Sequence, residues 1–360
     1  MIVSRNRSRI LSSEEGTPTV DSVASRELLS PREIAAVLDQ YQLGVLESIR
    51  PFSAGSSRAP KAKITTGSGV FLLKRLAPSR SDLDGMKFQH RLLQHLTGAG
   101  FPVAELQISS DNQTMVSHGE YHYEISRWVN GHRYRFTPAA AKASGAAMAA
   151  MHDLLVSMTE QAPPRRGYHD RPDVAKAAAK LAQESDSDVR CGFERLADHL
   201  RAARRDVREY WPRLPLTVAH GDWHPGNILL GDDRVVAVID FESARAEPGV
   251  ADFSNGLLQF SLNRQAGTPV SEWPVACDME LLGAMAAGFQ LVARQRLDDT
   301  ELHCVPSLMI EALATEIIIT LRRKGQIRKL GPEVVLPWVI ARLDWIVDHR
   351  QAVIDVVAGT

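Results

Sequence analysis

The sequence has few cysteines, no excess of charge and no long hydrophobic run. Its three cysteines lie far apart at positions 191, 277 and 304, and this odd, scattered set fits neither a disulfide framework nor a metal cluster, so we expect a reducing cytosol. The formal net charge of −1 at pH 7 gives no basic footprint for nucleic acid. No uninterrupted apolar run reaches the roughly 18 residues of a membrane span, so we expect no membrane partner.

Residues 1–30 differ from the rest of the chain. Arginines alternate with serine and asparagine, and Glu14 and Glu15 follow without the apolar segment of a secretory signal. We predict a disordered tail; a transit peptide is the alternative, which the early acidic pair disfavours. Ser30 followed by Pro31 is typical of a helix start, with Ser30 as the cap. At 360 residues the chain exceeds one typical domain and fits two lobes.

The most informative segment is residues 220–242. After HGDWHPGN at 220–227 come the apolar stretches Ile228–Leu230 and Val235–Ile239, separated by Gly-Asp-Asp, a pattern that predicts an antiparallel hairpin. Counting across the hairpin places Asn227 almost opposite Asp240, where cross-strand side chains approach to roughly 5 Å. An amide oxygen and a carboxylate at that separation suit Mg²⁺, which takes few protein ligands.

Asp222 lies five positions before Asn227, across a Pro-Gly bend that can fold it back beside the metal. A carboxylate held there can accept a proton from a hydroxyl group or orient an attacking oxygen. The alternative is an ordinary hairpin with a capping Asp and a turn Asn, which explains an isolated Asp and Asn at this spacing equally well. The whole string, with Asp240 in register downstream, favours a catalytic site.

This segment resembles the catalytic and metal-binding loops of the aminoglycoside phosphotransferase superfamily, which includes choline kinases and type II homoserine kinases. The resemblance implies the protein-kinase fold, with ATP as phosphoryl donor and Mg²⁺ as cofactor. It also implies that Asp222 is the catalytic base and that Asn227 and Asp240 bind the metal. His220 then supports the loop, His224 supports it or contacts the acceptor, and Asp252 anchors the loop to the large lobe.

The strand predicted at residues 70–74 ends in Lys74, and a further strand at 61–66 precedes it across Gly-Ser-Gly. Strand alternation places Lys74 at the end of an apolar strip. The resemblance implies that Lys74 holds the α- and β-phosphates of ATP. An edge-strand lysine that reaches solvent is the alternative.

Two stretches near Lys74 in the sequence depart from the pattern of this family. The family pairs its lysine with a Glu on the next helix, predicted here at Asp82–Leu96, and the matching position is Gln89. A neutral partner would hold Lys74 less firmly, because charge-assisted hydrogen bonds are about twice as strong as neutral ones. The phosphate-covering loop at Ser53–Ser57 has a single glycine, where protein kinases use three.

The stretch Glu124–Gly131 is predicted to be a strand that ends in a turn, at the position where the resemblance places the hinge between the lobes. Arg127 and Val129 are expected to offer backbone groups to the adenine. A helix is predicted at Ala139–Met158, with Met148 and Met151 as core residues. The charged residues 172–211 are predicted to be helical, with a solvated face; a substrate-binding insertion is the sharper alternative.

We therefore predict an α+β, two-lobed, protein-kinase-like fold. A disordered tail at 1–30 precedes a nucleotide-binding lobe at 31–128 and a mainly helical catalytic lobe at 129–360. The predicted function is transfer of the ATP γ-phosphoryl group to a hydroxyl of a small molecule, such as an amino alcohol or an aminoglycoside. A nucleotide-binding pseudokinase, suggested by Gln89, is one alternative. A kinase acting on proteins is another, disfavoured by the short span from Asp240 to Asp252. The acceptor and the oligomeric state stay open.

Overall fold

The computed structural model describes residues 28–52, 59–76, 83–169, 171–232, 234–262 and 268–359. Three sequence predictions lie outside these ranges: most of the tail at 1–30, the phosphate-covering loop at Ser53–Ser57, and the helix start at Asp82.

The N-terminal part of the structure is an antiparallel five-stranded sheet with a short helix against one face. Its spatial order is β1-β2-β3-β5-β4. The helix, α1 at Pro31–Leu38, begins with the predicted Ser30 cap, and Ser30 and Glu33 form a reciprocal capping box. The strands are β1 at Leu46–Phe52, β2 at Lys61–Thr66, β3 at Gly69–Leu76, β4 at Val116–His118 and β5 at Tyr121–Arg127.

Side-chain alternation divides β3 between two faces of the sheet. Phe71 and Leu73 point into a small core with α1, Tyr123 and Ile125, while Lys74 emerges on the other face, directly across from Glu124 in β5. Because β3 is the central strand of the sheet, the edge-strand alternative for Lys74 is wrong.

The remainder is mainly helical and is built around a second, larger apolar core. The helix predicted at Ala139–Met158 is present, with Met148 and Met151 fully buried, and the charged residues 172–211 form two helices. The helices are α2 at Leu83–Gly98, α3 at Pro138–Leu155, α4 at Pro172–Gln183, α5 at Ser187–Val207, α6 at Gly249–Phe260, α7 at Met279–Val292, α8 at Asp299–Lys324, α9 at Pro332–Asp348 and α10 at Arg350–Ala358. The two-lobed α+β architecture is therefore confirmed.

Helix α8 crosses the centre of this core. Glu311 and Glu316 interrupt its apolar run, yet by length and average hydropathy it could cross a membrane. In the structure 83% of that stretch is buried within the protein, as expected for the central helix of a large core.

Two small sheets carry the loops of the candidate site. One pairs β7 at Leu216–Ala219 with β10 at Arg245–Pro248. The other has the order β6-β8-β9, formed by His132–Arg133, Ile228–Leu230 and Val235–Val238.

The predicted hairpin is β8 and β9, and it contains the predicted pair of Leu230 with Val235. Ile228 pairs with Val238, Leu230 pairs with Val235, and an irregularity lies between Leu229 and Leu230. The carbonyl of Asn227 accepts from the N–H of Ile239 at 3.0 Å. Asn227 therefore faces Ile239, and Asp240 is the next residue, which agrees with the prediction that Asp240 lies almost opposite Asn227.

Candidate active site

The buried carboxylate of Asp252, on α6, fixes the loop between β7 and β8 by hydrogen bonds. Asp252 accepts hydrogen bonds from the backbone N–H groups of His220 at 2.8 Å and Gly221 at 3.0 Å, and from the ring of His152 at 3.1 Å. Burial by itself would raise the pKa of Asp252, but the contact with His152 first, and then the nearby Arg245, hold the pKa below its usual value. Asp252 therefore occupies the anchoring position that the sequence predicts.

Gly221 turns the loop with a left-handed φ of +76°, and a β-carbon there would collide with the Arg245 guanidinium and the Ser243 carbonyl. Only glycine combines this backbone conformation with such close packing.

His220 joins this loop to the segment that carries Asp240. Its Nε2 donates to the carbonyl of Ile239 at 3.0 Å, and its Nδ1 accepts from the N–H of Asp222 at 3.3 Å. Burial lowers the pKa of His220, which favours the neutral ring with its hydrogen on Nε2 that these two bonds require. This is the loop-supporting position predicted for His220.

Asp222 is clasped by Asn227 and lies beside His224. The Asn227 amide nitrogen donates to the carbonyl of Asp222 at 3.0 Å and to its carboxylate at 3.3 Å. His224 Nε2 lies 3.6 Å from the same carboxylate, and its Nδ1 accepts from the N–H of Gly226. Burial would lower the pKa of His224, but the Asp222 carboxylate raises it above the usual value.

Asn227 and Asp240 present oxygens that suit a hard cation. Because the amide nitrogen of Asn227 is used by Asp222, the amide oxygen is left to face another group. Asp240 is exposed, adopts a left-handed conformation with φ of 68°, and accepts no hydrogen bond from the described part of the chain. In the same part of the chain, no group of three or more His, Cys, Asp or Glu side chains is placed to bind a metal. The side-chain oxygens of Asn227 and Asp240 are of the kind that Mg²⁺ prefers.

Lys74 is held between two carboxylates. Its Nζ lies 2.5 Å from Glu242 Oε1 and 3.5 Å from Glu124 Oε1, and the Lys74 and Glu124 side chains are only 10% and 12% exposed. Glu124 is fixed in turn by His90, whose Nε2 donates to it at 2.9 Å. Burial would raise the pKa of Glu124, but Lys74 first and then His90 lower it to about 2.

Sequence reasoning missed both acidic partners of Lys74. Glu242 could have been found, because it directly follows the Asp240-Phe241 motif. Glu124 could not, since its position opposite Lys74 depends on how β5 pairs with β3. The prediction that Gln89 faces Lys74 is wrong: Gln89 makes no hydrogen bond to Lys74 in the described structure, and the helix residue in this network is its neighbour His90.

The segment after β5 lies where the hinge is predicted. The N–H of Arg127 already donates to the carbonyl of Glu105 at 2.8 Å, and the N–H of Trp128 donates to Val70 at 2.9 Å. Within the described residues, the backbone of Val129 has no such partner. Of the two predicted positions, Val129 is therefore the one with a free N–H.

Asp222 and His224 also line a cavity of about 440 Å³. Its lining also contains Trp273 and Trp338, whose rings meet edge to face at 5.1 Å. Glu316 of α8 reaches the same cavity and accepts a hydrogen bond from Gln259 at 3.1 Å. The cavity thus combines aromatic walls with two carboxylates.

The sheet, the helical lobe and the loops at Asp222 and Asp240 together define a phosphotransferase with a protein-kinase-like fold. Residues 48–298 match the phosphotransferase enzyme family, and the chain belongs to that family.

Individual relatives are distant. The chain is 24% identical over 242 residues to a stress response kinase A from Salmonella choleraesuis, covering 64% of this chain and 69% of that protein. It is 27% identical over 243 residues to a homoserine kinase from Brucella anthropi, covering 65% of this chain and 72% of that protein. The structure of a microcompartment-associated aminopropanol kinase superposes with a TM-score of 0.67 at 14% identity, covering 89% of this chain and 98% of that one. The structural likeness supports the fold alone.

Proposed function

We propose that this protein transfers the γ-phosphoryl group of ATP to a hydroxyl of a small molecule bound in the cavity beside Asp222. The observation that carries the proposal is the position of the Asp222 carboxylate. The Asp222 side chain is 43% exposed and lines the cavity. Its carboxylate also accepts a hydrogen bond from the amide of Asn227, one of the two residues proposed to bind the metal. Such a carboxylate can face an acceptor on one side and a metal-bound phosphate on the other.

Lys74, Val129 and Arg127 form the nucleotide side of the proposed site. Lys74 would donate to the α- and β-phosphates, and the free N–H of Val129 and the carbonyl of Arg127 would bind the adenine edge. Asn227 and Asp240 would hold Mg²⁺, which supplies neutralisation of the charge on the phosphate oxygens.

In the proposed reaction the acceptor oxygen forms a bond to the γ-phosphorus, and the bond from that phosphorus to the ADP oxygen breaks. The hydroxyl proton passes to a carboxylate oxygen of Asp222. Asn227 fixes one carboxylate oxygen of Asp222 and His224 lies beside it, so the side chain is oriented before the acceptor binds. Placement of the reacting groups supplies most of the catalysis in such a reaction.

The cavity supports an acceptor with an apolar part and a single amino group. Glu316 and Asp222 provide negative charge, and the tryptophan rings provide apolar surface. Arg328 and Arg342 also line the cavity, and two arginines would repel a molecule with many amino groups. An amino alcohol is therefore the favoured acceptor over a polycationic aminoglycoside.

ATP consumption measured against amino alcohols, aminoglycosides, nucleosides and sugars tests this proposal. Asp222→Asn should retain nucleotide binding and lower turnover by at least about 100-fold, the lower range for a lost general base. Asp232→Asn is the matched control, since Asp232 is exposed at the far turn of the same hairpin. If Asp222→Asn turns over as fast as Asp232→Asn, Asp222 is not the base.

The same assay separates the alternatives. The argument for a pseudokinase came from Gln89, and it loses its force because Lys74 has two acidic partners. A nucleotide that binds but is never consumed with any acceptor would favour the pseudokinase. Turnover with a protein acceptor alone would favour a protein kinase.

A further inference from the structure

A second cavity, of about 490 Å³, includes Gly221 of the loop between β7 and β8 in its wall. It shares no lining residue with the cavity beside Asp222 that is proposed to bind the acceptor. Four arginines line it: Arg165, Arg166, Arg171 and Arg245. The backbone of Gly221 and the residue Ser243 complete its wall beside the Asp240 segment. We refer to it as the arginine cavity.

Charge in the arginine cavity is positive. Among the described residues of its wall, Asp173 and Glu242 are the acidic ones, so the arginines exceed the carboxylates by two. Outside the wall, Lys74 pairs with Glu242 and Glu247 pairs with Arg245, which adds one cation and one anion. An excess of two positive charges matches a phosphate dianion.

The arginines differ in how firmly they are fixed. Arg245 is buried and donates two hydrogen bonds to Glu247, at 2.6 and 2.8 Å, and two to backbone carbonyls. Its guanidinium is therefore fixed in position. Arg171 contacts Asp173 at 3.2 Å with its side chain 35% exposed. Arg166 is exposed and makes no hydrogen bond or ion pair within the described residues. Arg166 and Arg171 can therefore turn guanidinium donors toward an anion.

The cavity is also connected to the nucleotide side of the proposed site. Arg165 donates to the backbone carbonyl of Glu242 at 2.5 Å, and the Glu242 carboxylate holds Lys74. An anion that binds the arginines therefore contacts the segment that carries Asp240 and Glu242.

We propose that the arginine cavity binds a small phosphate, either inorganic phosphate or a phosphate monoester, and that the bound phosphate orders the Asp240 segment. Arginine is suited to this ligand because its planar guanidinium donates two parallel hydrogen bonds to phosphate oxygens. The coupling to nucleotide rests on the function proposed above, whereas phosphate binding itself does not.

Calorimetric titration of the full chain with inorganic phosphate, at fixed ionic strength, tests the site without ATP or an acceptor. We expect saturable binding that weakens about tenfold in Arg166→Gln and in Arg171→Gln, since one charge-assisted contact contributes about that factor. Arg234→Gln removes the same charge from the exposed turn of the hairpin and should bind phosphate as the wild type does. Melting curves establish that each variant is folded.

Parallel titrations with glycerol 3-phosphate and acetate identify the ligand class. Tighter binding of glycerol 3-phosphate assigns the site to a monoester, and tighter binding of phosphate assigns it to the inorganic ion. Acetate that binds as tightly as either would overturn the phosphate assignment. The site is also rejected if phosphate shows no saturable binding, or if both arginine variants bind it as the wild type does.

Coupling is measured by titrating Mg·ADP with and without phosphate at about ten times its wild-type Kd. We expect phosphate to tighten Mg·ADP binding by about fivefold in the wild type, within the usual range of coupling between sites. It should have little effect in the double variant Arg166→Gln/Arg171→Gln, whose combined loss of phosphate affinity should be about 100-fold. Tightening that persists in the double variant would place the phosphate in the nucleotide site and overturn the proposal. Complete absence of Mg·ADP binding would count against the proposed function, and the phosphate titration would still decide on the arginine cavity.

Discussion

Lys74 is positioned by two carboxylates with different surroundings. Glu124 lies opposite it in the sheet and is locked by His90, whereas Glu242 belongs to the segment after Asp240 and is 23% exposed. A lysine that donates to ATP phosphates needs one fixed anchor and one contact that it can release. We infer that Glu124 is the anchor and that Glu242 is the contact exchanged for phosphate.

Glu124→Gln should therefore weaken nucleotide binding, by about tenfold for the loss of one charge-assisted contact, because Lys74 keeps only its bond to Glu242. Glu242→Gln should weaken it less or tighten it, since a competitor for the ammonium is removed. Calorimetry with Mg·ADP measures both. The control is Glu120→Gln, at the exposed turn before β5. Equal losses in the Glu124 and Glu242 variants would contradict the division of roles.

Because of Glu124, we expect the free energy of unfolding to depend on pH. The pKa of Glu124 in the folded protein is about 2, below the usual 4.5, so the folded state favours the ionised form. This stabilisation is complete above pH about 5 and is lost as the pH falls from there toward 2. The difference in urea midpoint between wild type and Glu124→Gln should therefore shrink as the pH is lowered through this window. A difference that is constant from pH 6 to pH 3 would rule out this linkage.

How much of the site the sequence predicts depends on the separation of its residues along the chain. Asp222, Asn227 and Asp240 belong to one short segment, a hairpin and the loop before it, so their proximity follows from local structure. Lys74 is recognisable as a lysine on a predicted strand. Its partner Glu124 is 50 residues away, and the pairing of those two strands is a tertiary choice that no local pattern specifies.

At the scale of elements, an irregularity in the hairpin brings Asn227 closer to Asp240. A regular hairpin that kept the predicted pair of Leu230 and Val235 would place Asn227 opposite Val238, whereas the irregularity between Leu229 and Leu230 places it opposite Ile239. Asp240 then leaves the strand in a left-handed conformation. The sequence predicts that Asn227 and Asp240 are neighbours and cannot predict this shift, because bulges depend on the surrounding packing.

Two helices of the large lobe approach each other through glycines. Gly145 of α3 has no room for a β-carbon against the carbonyl of Met285, and Gly288 of α7 has none against the carbonyl of Lys142. The contact is backbone against backbone, which neither helix can relieve by turning a side chain.

Gly288→Ala should thus destabilise the fold by about 1 to 3 kcal/mol, the usual cost of overpacking a core, despite the better helix propensity of alanine. Gly98→Ala is the matched control. Nothing lies within 4 Å of the position that its added methyl group would occupy, so propensity alone should act there and stability should hold or rise slightly. Urea denaturation compares the two. A neutral Gly288→Ala would show that α3 and α7 can separate at little cost.

At the scale of the whole molecule, polar contacts connect the small sheet to the loops of the candidate site. Lys74 emerges from the small sheet and bonds Glu242, which belongs to the large lobe, and His220 joins the loop before β8 to the Asp240 segment. A Mg²⁺–nucleotide complex bound here would touch both lobes at once. Binding should then stabilise the whole chain, since a ligand specific to the folded state adds about 2.7 kcal/mol at 100 times its Kd.

Asp240→Asn tests whether this stabilisation passes through the metal. Asp240 is exposed and accepts no hydrogen bond from the described part of the chain, so the variant should melt at the wild-type temperature without ligand. The increase in melting temperature with ADP and Mg²⁺ should fall sharply, because a neutral amide binds Mg²⁺ more weakly than a carboxylate. The smaller increase with ADP in EDTA should not change. Asp232→Asn on the same hairpin should behave as the wild type in both conditions. If Asp240→Asn loses the ADP effect equally with and without Mg²⁺, Asp240 supports the nucleotide segment and does not bind the metal.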